Sequence, residues 1–223
     1  MRINQYLADT IGISRRAADK EIIAGVVRIG ARKAVLGDQV NEGDEVSYKG
    51  TVVTKKTNET KMTIMLHKPY GYITSRKADE TGAPTVMELL PPELQHLKPV
   101  GRLDKESDGL LLMTDDGDLL YKSTHPKFET EKEYIVTFEY PLSDEEMKQW
   151  RKGIRLIDGI AKADVIERVQ GGKGFRIVLH TGLTRQIRRM AGKSGNAVMT
   201  LTRVRVGDVS LGTLKSGKWK EVA

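Results

Sequence analysis

The residues of this chain that are best placed to do chemistry are carboxylates and arginines. Asp104 closes the run GRLD (101–104), where a strand gives way to the loop Lys105 to Asp108 just before the apolar run Leu110 to Met113. An aspartate in that position is presented to solvent or ligand instead of being packed, although a loop aspartate is more often a turn former than a catalyst. If it does act, it acts ionised, as a nucleophile or an electrostatic stabiliser. A buried carboxylate drifts toward its neutral form unless a cation stands nearby. The run GLTRQIRRM (182–190) offers that cation. On a helix from Arg185, Ile187, Met190 and Ala191 form one apolar face, Arg189 points most nearly away, and Arg188 lies at the boundary, from where it can reach inward. The other acidic cluster, Asp115, Asp116 and Asp118 in DDGD, lies between two apolar runs and reads as a turn, with no metal assigned. The chain has no cysteine, which excludes thiolate catalysis, zinc ribbons, iron–sulfur clusters and disulfides.

The charge distribution says what such a site faces. Residues 1–50 carry 8 basic and 7 acidic side chains (+1), residues 51–150 carry 13 and 18 (−5), and residues 151–223 carry 16 and 5 (+11). A basic final third against an acidic middle suits a surface for a polyanion around a carboxylate site, although a solvated basic face is the commoner cause of such imbalance. Near the N-terminus, Arg15 and Arg16 sit in the first turn of an expected helix, where the macrodipole disfavours cations. Arg28, Arg32 and Lys33 follow, and the five could track a phosphate backbone if the fold gathers them on one side.

The elements that must position these residues fall into two groups. In residues 1–50, Ile3, Tyr6, Leu7 and Ile11 recur at helical spacing up to Gly12. Ser14 caps a second helix that buries Ala18, Ile22 and Ile23 and stops at Gly25, and strands follow at Val26 to Ile29 and at Val46 to Tyr48. Residues 51–61 are polar and read as a linker. Residues 62–223 form the larger domain. Strands are expected at Met62 to Leu66, Leu110 to Met113, Tyr134 to Phe138, Phe175 to Leu179 and Val204 to Val209, with helices at Ser143 to Lys152 and Arg185 to Ser194. Strands interrupted by single helices, without regular βαβ alternation, predict an α+β fold on a largely antiparallel mixed sheet. At 223 residues both parts fold without metal or disulfide help. No apolar run approaches a membrane span or a secretory signal, so the expected setting is the cytoplasm, with no membrane partner.

Two stretches carry a resemblance to known families. RINQYLA, ISRRAADKEI, GVVRIG and GDEV resemble the small RNA-binding domain named after ribosomal protein S-four, over residues 1 to about 48. GRLDKESDGLLLMTDDGDL resembles the signature of the RsuA/RluB/RluE/RluF-type ribosomal RNA pseudouridine synthases, and HKPYG (67–71), EKEY (131–134) and GLTRQIRRM match further segments of that family in the same order. His67 stands where the family usually has asparagine, a departure outside the chemistry.

The resemblance implies isomerisation of uridine to pseudouridine in ribosomal RNA, with a weak lean to the large subunit and no cofactor. It implies Asp104 as the single catalytic carboxylate and Arg188 as its partner. Arg102 is implied to fill the space left by the flipped base, and Tyr134 to stack on the base. Tyr134 is equally placed to be a core residue opening a strand. Lys68, Arg185 and Arg189 join Arg15, Arg16, Arg28, Arg32 and Lys33 as expected RNA contacts. The substrate is expected to be ribosomal RNA at a folding or assembly stage and the enzyme a monomer. Two rivals remain: a hydrolase pairing Asp104 with Asp108, and an RNA-binding assembly factor without turnover.

Overall fold

The computed structural model describes residues 1–54, 61–169 and 174–222 and divides the chain into two compact units, Met1–Thr60 and Lys61–Ala223. In the first, helices α1 (Ile3–Ile11) and α2 (Arg15–Ile23) precede a four-stranded antiparallel sheet of β1 (Val27–Ile29), β2 (Arg32–Lys33), β3 (Val46–Tyr48) and β4 (Thr51–Val52), in the order β2-β1-β3-β4. Left-handed Gly12 ends α1, and the Ser14 hydroxyl accepts the Ala17 N–H to start α2. Ile3, Leu7, Ala18 and Ile22 pack on Val27, Ile29 and Val46. Ile23, expected inside, is 71% exposed because the stripe of Ala18 and Ile22 already faces the sheet. The expected linker starts later than residue 51. Lys49 and Gly50 both have positive φ and form a two-residue hairpin turn, so Thr51 pairs with Tyr48 and extends the sheet. Residues 55–60 of that linker lie outside the described residues.

The second unit has the expected α+β architecture. Its elements are β5 (Thr63–Lys68), β6 (Lys98–Pro99), β7 (Asp108–Thr114), α3 (Gly117–Thr124), β8 (Lys132–Phe138), α4 (Asp144–Lys152), β9 (Ile154–Leu156), β10 (Gly159–Ala161), β11 (Val165–Arg168), β12 (Gly174–Leu179), α5 (Gln186–Lys193), β13 (Val198–Val206), β14 (Val209–Ser210) and β15 (Trp219–Glu221). The large sheet runs β11-β12-β8-β13-β7-β5-β15, with β14 on β13 and β6 on β7, while β9 and β10 make a separate hairpin. Among the described residues the strands of this sheet pair antiparallel except β13 with β7, which joins the two halves at Thr202–Asp108 and Arg203–Gly109. One core packs α4 and α5 on β8, β12 and β13, and another packs the 3-10 turns at Val86–Leu89 and Pro92–Leu94 on β5 and β7.

Two local expectations are corrected. DDGD is not a free turn: Asp116 is the N-cap of α3, accepting the N–H groups of Asp118 and Leu119. The expected strand Val204 to Val209 is the end of a longer one, which turns at Gly207 (φ 53) and returns as β14.

The parallel junction requires glycine at 109. Its φ is +104°, and a Cβ there would lie 2.3 Å from the Arg203 carbonyl oxygen and 2.6 Å from its nitrogen. Both objects are backbone and cannot swing aside. Gly109→Ala is expected to cost about 3 kcal/mol or more of stability. In urea titrations this appears as a lowered midpoint with an unchanged slope.

Candidate active site

Asp104 lies half-buried in a cleft of about 470 Å³, beside the junction of the two half-sheets. Gly101 to Asp104, Lys132, Tyr134, Arg185 and Arg203 line it, together with Ser123 to Pro126 and His180 to Ile187. Four side chains, buried Lys68 and Arg203 and half-buried Thr74 and Arg188, pin the loop that carries the carboxylate. The Thr74 hydroxyl donates to the Leu103 carbonyl (2.8 Å) and accepts the Leu103 N–H (3.1 Å). Arg203 donates through Nη1 to the Arg102 carbonyl (3.4 Å), Lys68 through Nζ to the Ser107 carbonyl (2.6 Å), and Arg188 through Nη2 to the Glu106 carbonyl (2.6 Å). The Asp104 carbonyl itself accepts the Ser107 N–H (3.1 Å). Such multiple fastening holds the carboxylate in one position.

Strand periodicity explains what faces the cleft. On β8, Lys132, Tyr134, Val136 and Phe138 share a face, and Tyr134 packs against both cores while also lining the cleft. On β13, Arg203 shares its face with buried Leu201 and is 3% exposed. Its Nε donates to the Leu110 carbonyl (2.7 Å), whereas Nη2 is buried with no partner among the described residues. Burial, with the neighbouring Arg203 charge adding to it, lowers the Lys132 pKa. Sequence reading missed Lys132 and Arg203 as cleft residues. The period of two from Val136 and Leu201 was the available signal.

The arginines divide differently from the expectation. Among the described residues Arg188 makes no ion pair with Asp104; besides Glu106, its Nη1 donates to the Val198 carbonyl (3.3 Å) and its Nη2 reaches the Ser107 hydroxyl (3.4 Å). Arg188 is half-buried at the face boundary as expected, but it grips main chain. Arg185, expected only to touch RNA, is with Lys68 one of two cations whose charge couples to Asp104. It caps α5 in a left-handed conformation (φ 51, ψ 37) that costs a non-glycine residue about 1 kcal/mol. It forms a 2.6 Å ion pair with Glu106. That hydrogen bond raises the Arg185 pKa, Asp104 adds to the shift, and the Glu106 pKa falls in turn. Arg189 does not stand free for RNA: it pairs with Asp158 at 2.5 Å and donates to the Thr184 carbonyl. Arg102 is exposed at the cleft. His67 packs, with Nδ1 2.7 Å from the Leu214 carbonyl.

Lys68 is corrected outright. Expected at the RNA surface, it is 0% exposed, because β5 alternation puts it on the same face as buried Ile64 and Leu66. Burial pulls its pKa down to about 8, against the opposing charges of Asp108 and Asp104. Below pH 8 the amine is charged in folded and unfolded chains alike, and the fold bears the full cost of burying it. Between about 8 and the unfolded value near 10.5 only the unfolded chain keeps the proton, so this contribution to stability rises with pH. Urea titrations of wild type and Lys68→Met at pH 7.5 and 9.5 are expected to show the difference moving toward wild type at the higher pH, within a ceiling of about 3 kcal/mol.

In the first unit, Arg15 and Arg16 are exposed at the start of α2. Arg28 and Lys33 are exposed cross-strand partners on the sheet face turned away from the core. Arg28 donates to the Ala31 carbonyl, and Arg32 is held by Asp38 at 2.6 Å. Four of the five cations thus divide between the helix start (Arg15, Arg16) and the outward sheet face (Arg28, Lys33), while Arg32 lies across from core-facing Ile29.

A mixed sheet split by one parallel pair, with the Asp104 carboxylate, an aromatic ring and several cations lining one cleft beside the split, is an arrangement that can receive a polyanionic substrate. The family model for RNA pseudouridylate synthase matches residues 62–193. Over all of this chain and 75% of the relative, the sequence is 34% identical to the dual-specificity RNA pseudouridine synthase RluF of Escherichia coli O6:H1. It is 36% identical to the ribosomal large subunit pseudouridine synthase B of Xanthomonas campestris pv. campestris, over 94% of this chain and 44% of that one. A crystal structure of a pseudouridylate synthase superposes with a TM-score of 0.71 at 28% identity, covering 100% of this chain and 96% of the other. The chain belongs to the RNA pseudouridylate synthase family, whose members isomerise uridine in RNA to pseudouridine.

Proposed function

We propose that this enzyme modifies a uridine of ribosomal RNA, with Asp104 as the catalytic carboxylate and the first unit as an RNA grip. The observation that carries the reading is the fastening of the Asp104 loop by Thr74, Lys68, Arg188 and Arg203 beside a cleft that Tyr134 also lines. The reaction breaks the bond from ribose C1′ to ring N1, turns the base, and joins C1′ to C5. The C5 hydrogen leaves as a proton and N1 gains one, so no redox partner or energy source is needed. The carboxylate either adds covalently to the substrate or stabilises charge at the sugar. The target base must leave its stack, at a few kcal/mol, to reach Asp104. Tyr134 is placed to stack on it, and exposed Arg102 to occupy the space it leaves. Arg15, Arg16, Arg28 and Lys33 supply phosphate contacts. Ribosomal RNA is favoured by the name of the Xanthomonas relative. The paired-carboxylate hydrolase loses support, since Asp108 lies on β7 and does not line the cleft.

Tritium release tests the reading without knowledge of the target site, because every conversion expels the hydrogen on C5. Ribosomal RNA labelled as [5-³H]uridine should release tritium to water, and pseudouridine mapping with and without the gene should show one or more missing sites. Free uracil as the product would establish the hydrolase instead. Tight binding of the labelled RNA without any release would favour the assembly factor.

A further inference from the structure

We propose that the aromatic cluster on α3 and the turn after it is a second base-binding subsite, stacking an unpaired nucleobase next in the RNA strand to the uridine held at Asp104. The proposal rests on the reading that the Asp104 cleft receives that uridine. Tyr121 and Phe128 are 47% and 40% exposed, and His125 is exposed between them. Their ring centroids are 4.9 Å (Tyr121–His125), 5.6 Å (Tyr121–Phe128) and 6.4 Å (His125–Phe128) apart. The Lys127 ammonium stands 5.1 Å from the Tyr121 centroid and 4.7 Å from that of Phe128.

Core packing does not account for these rings, since α3 has no fully buried residue. The cluster is nevertheless held in place: the Tyr121 carbonyl accepts the His125 N–H, the His125 carbonyl accepts the Phe128 N–H, and Thr130 donates to the Lys122 carbonyl. It is also continuous with the cleft, because Ser123, Thr124, His125 and Pro126 line the same cavity as Asp104. Extruding one base removes a stacking partner from its neighbour, and an exposed π surface at the cleft mouth replaces it. Lys127 adds a cation beside the rings for the accompanying phosphate. Three rings and one ammonium match a nucleotide in size and fall far short of the roughly 800 Å² per partner that a stable protein interface takes.

The test uses the full chain and [5-³H]uridine-labelled ribosomal RNA. Tyr121→Ala with Phe128→Ala should raise KM at least about tenfold, as loss of one stacked base does, and leave kcat within about twofold. The conservative pair Tyr121→Phe with Phe128→Tyr should restore KM. An unchanged KM, or a fall in kcat alone, overturns the proposal. Should the double alanine variant fail to fold by thermal unfolding, photo-cross-linking of the wild type decides. With 4-thiouridine-substituted ribosomal RNA, adducts are expected on Tyr121, His125 or Phe128, and adducts confined to other parts of the chain overturn the subsite. Wild type that releases no tritium would count against the Asp104 reading, and the cross-link positions would still decide whether the rings hold RNA.

Discussion

Asp104→Asn should abolish tritium release, by on the order of a thousandfold or more, while leaving the fold and RNA affinity intact. Asparagine keeps the size of the side chain and removes the charge, and a neutral amide neither adds to the substrate nor stabilises a cationic sugar. Little structure hangs on the carboxylate. Among the described residues its oxygens make no ion pair, and the bond that turns the loop, from the Ser107 N–H, goes to the Asp104 main-chain carbonyl. The loop stays fastened by Thr74, Lys68, Arg188 and Arg203, none of which uses the Asp104 side chain. Stability should therefore change by less than about 1 kcal/mol. Affinity should hold or tighten by a few-fold, because a negative charge leaves a cleft that Lys132, Arg185 and Arg203 also line. Tritium release within tenfold of wild type would remove Asp104 from the catalytic role.

What was legible in the sequence was governed by local period and capping. Helix spacing and Ser14 located the first two helices, and Ser143 located α4, where its hydroxyl and Glu146 form a capping box. Strands as apolar as Leu110 to Met113 or Phe175 to Leu179 announce themselves, because both faces of the central sheet are covered. Two-residue strands such as β6 and the charged edge strand β15 have no such signal. Their existence depends on a partner distant in sequence, as Trp219 to Glu221 depend on Ile64 to Leu66.

The site was legible in residue type and less so in role. Asp104, Arg102, Tyr134 and Arg185 converge on one cleft. Lys68 and Arg203 were harder to place because long charged side chains are normally solvated, and only alternation along their strands shows that they turn inward. The division of labour among Arg185, Arg188 and Arg189 depends on where the 102–107 loop passes over α5. No helical wheel contains that information.

That division separates two adjacent arginines that composition treats as identical. Arg188→Ala removes the donor to the Glu106 carbonyl and the contacts to Ser107 and Val198, so it loosens the Asp104 loop from α5 and from the start of β13. A displacement of about 1 Å at a reacting group costs about a hundredfold in rate, and a loss of that size is expected in single-turnover assays at saturating RNA. Arg189→Ala breaks a solvent-screened pair with Asp158, which contributes little to stability, and touches nothing on the Asp104 loop. Its saturated rate should stay within about twofold of wild type. The pH profile then distinguishes position from charge. If Arg188 kept Asp104 ionised by direct pairing, its removal would move the acid limb of the rate to higher pH, since a carboxylate without its cation holds its proton longer. Because Arg188 grips main chain, the acid limb should stay where it is while the plateau falls. A shifted limb, or equal losses for the two variants, would show that Arg188 turns onto Asp104 when RNA is bound.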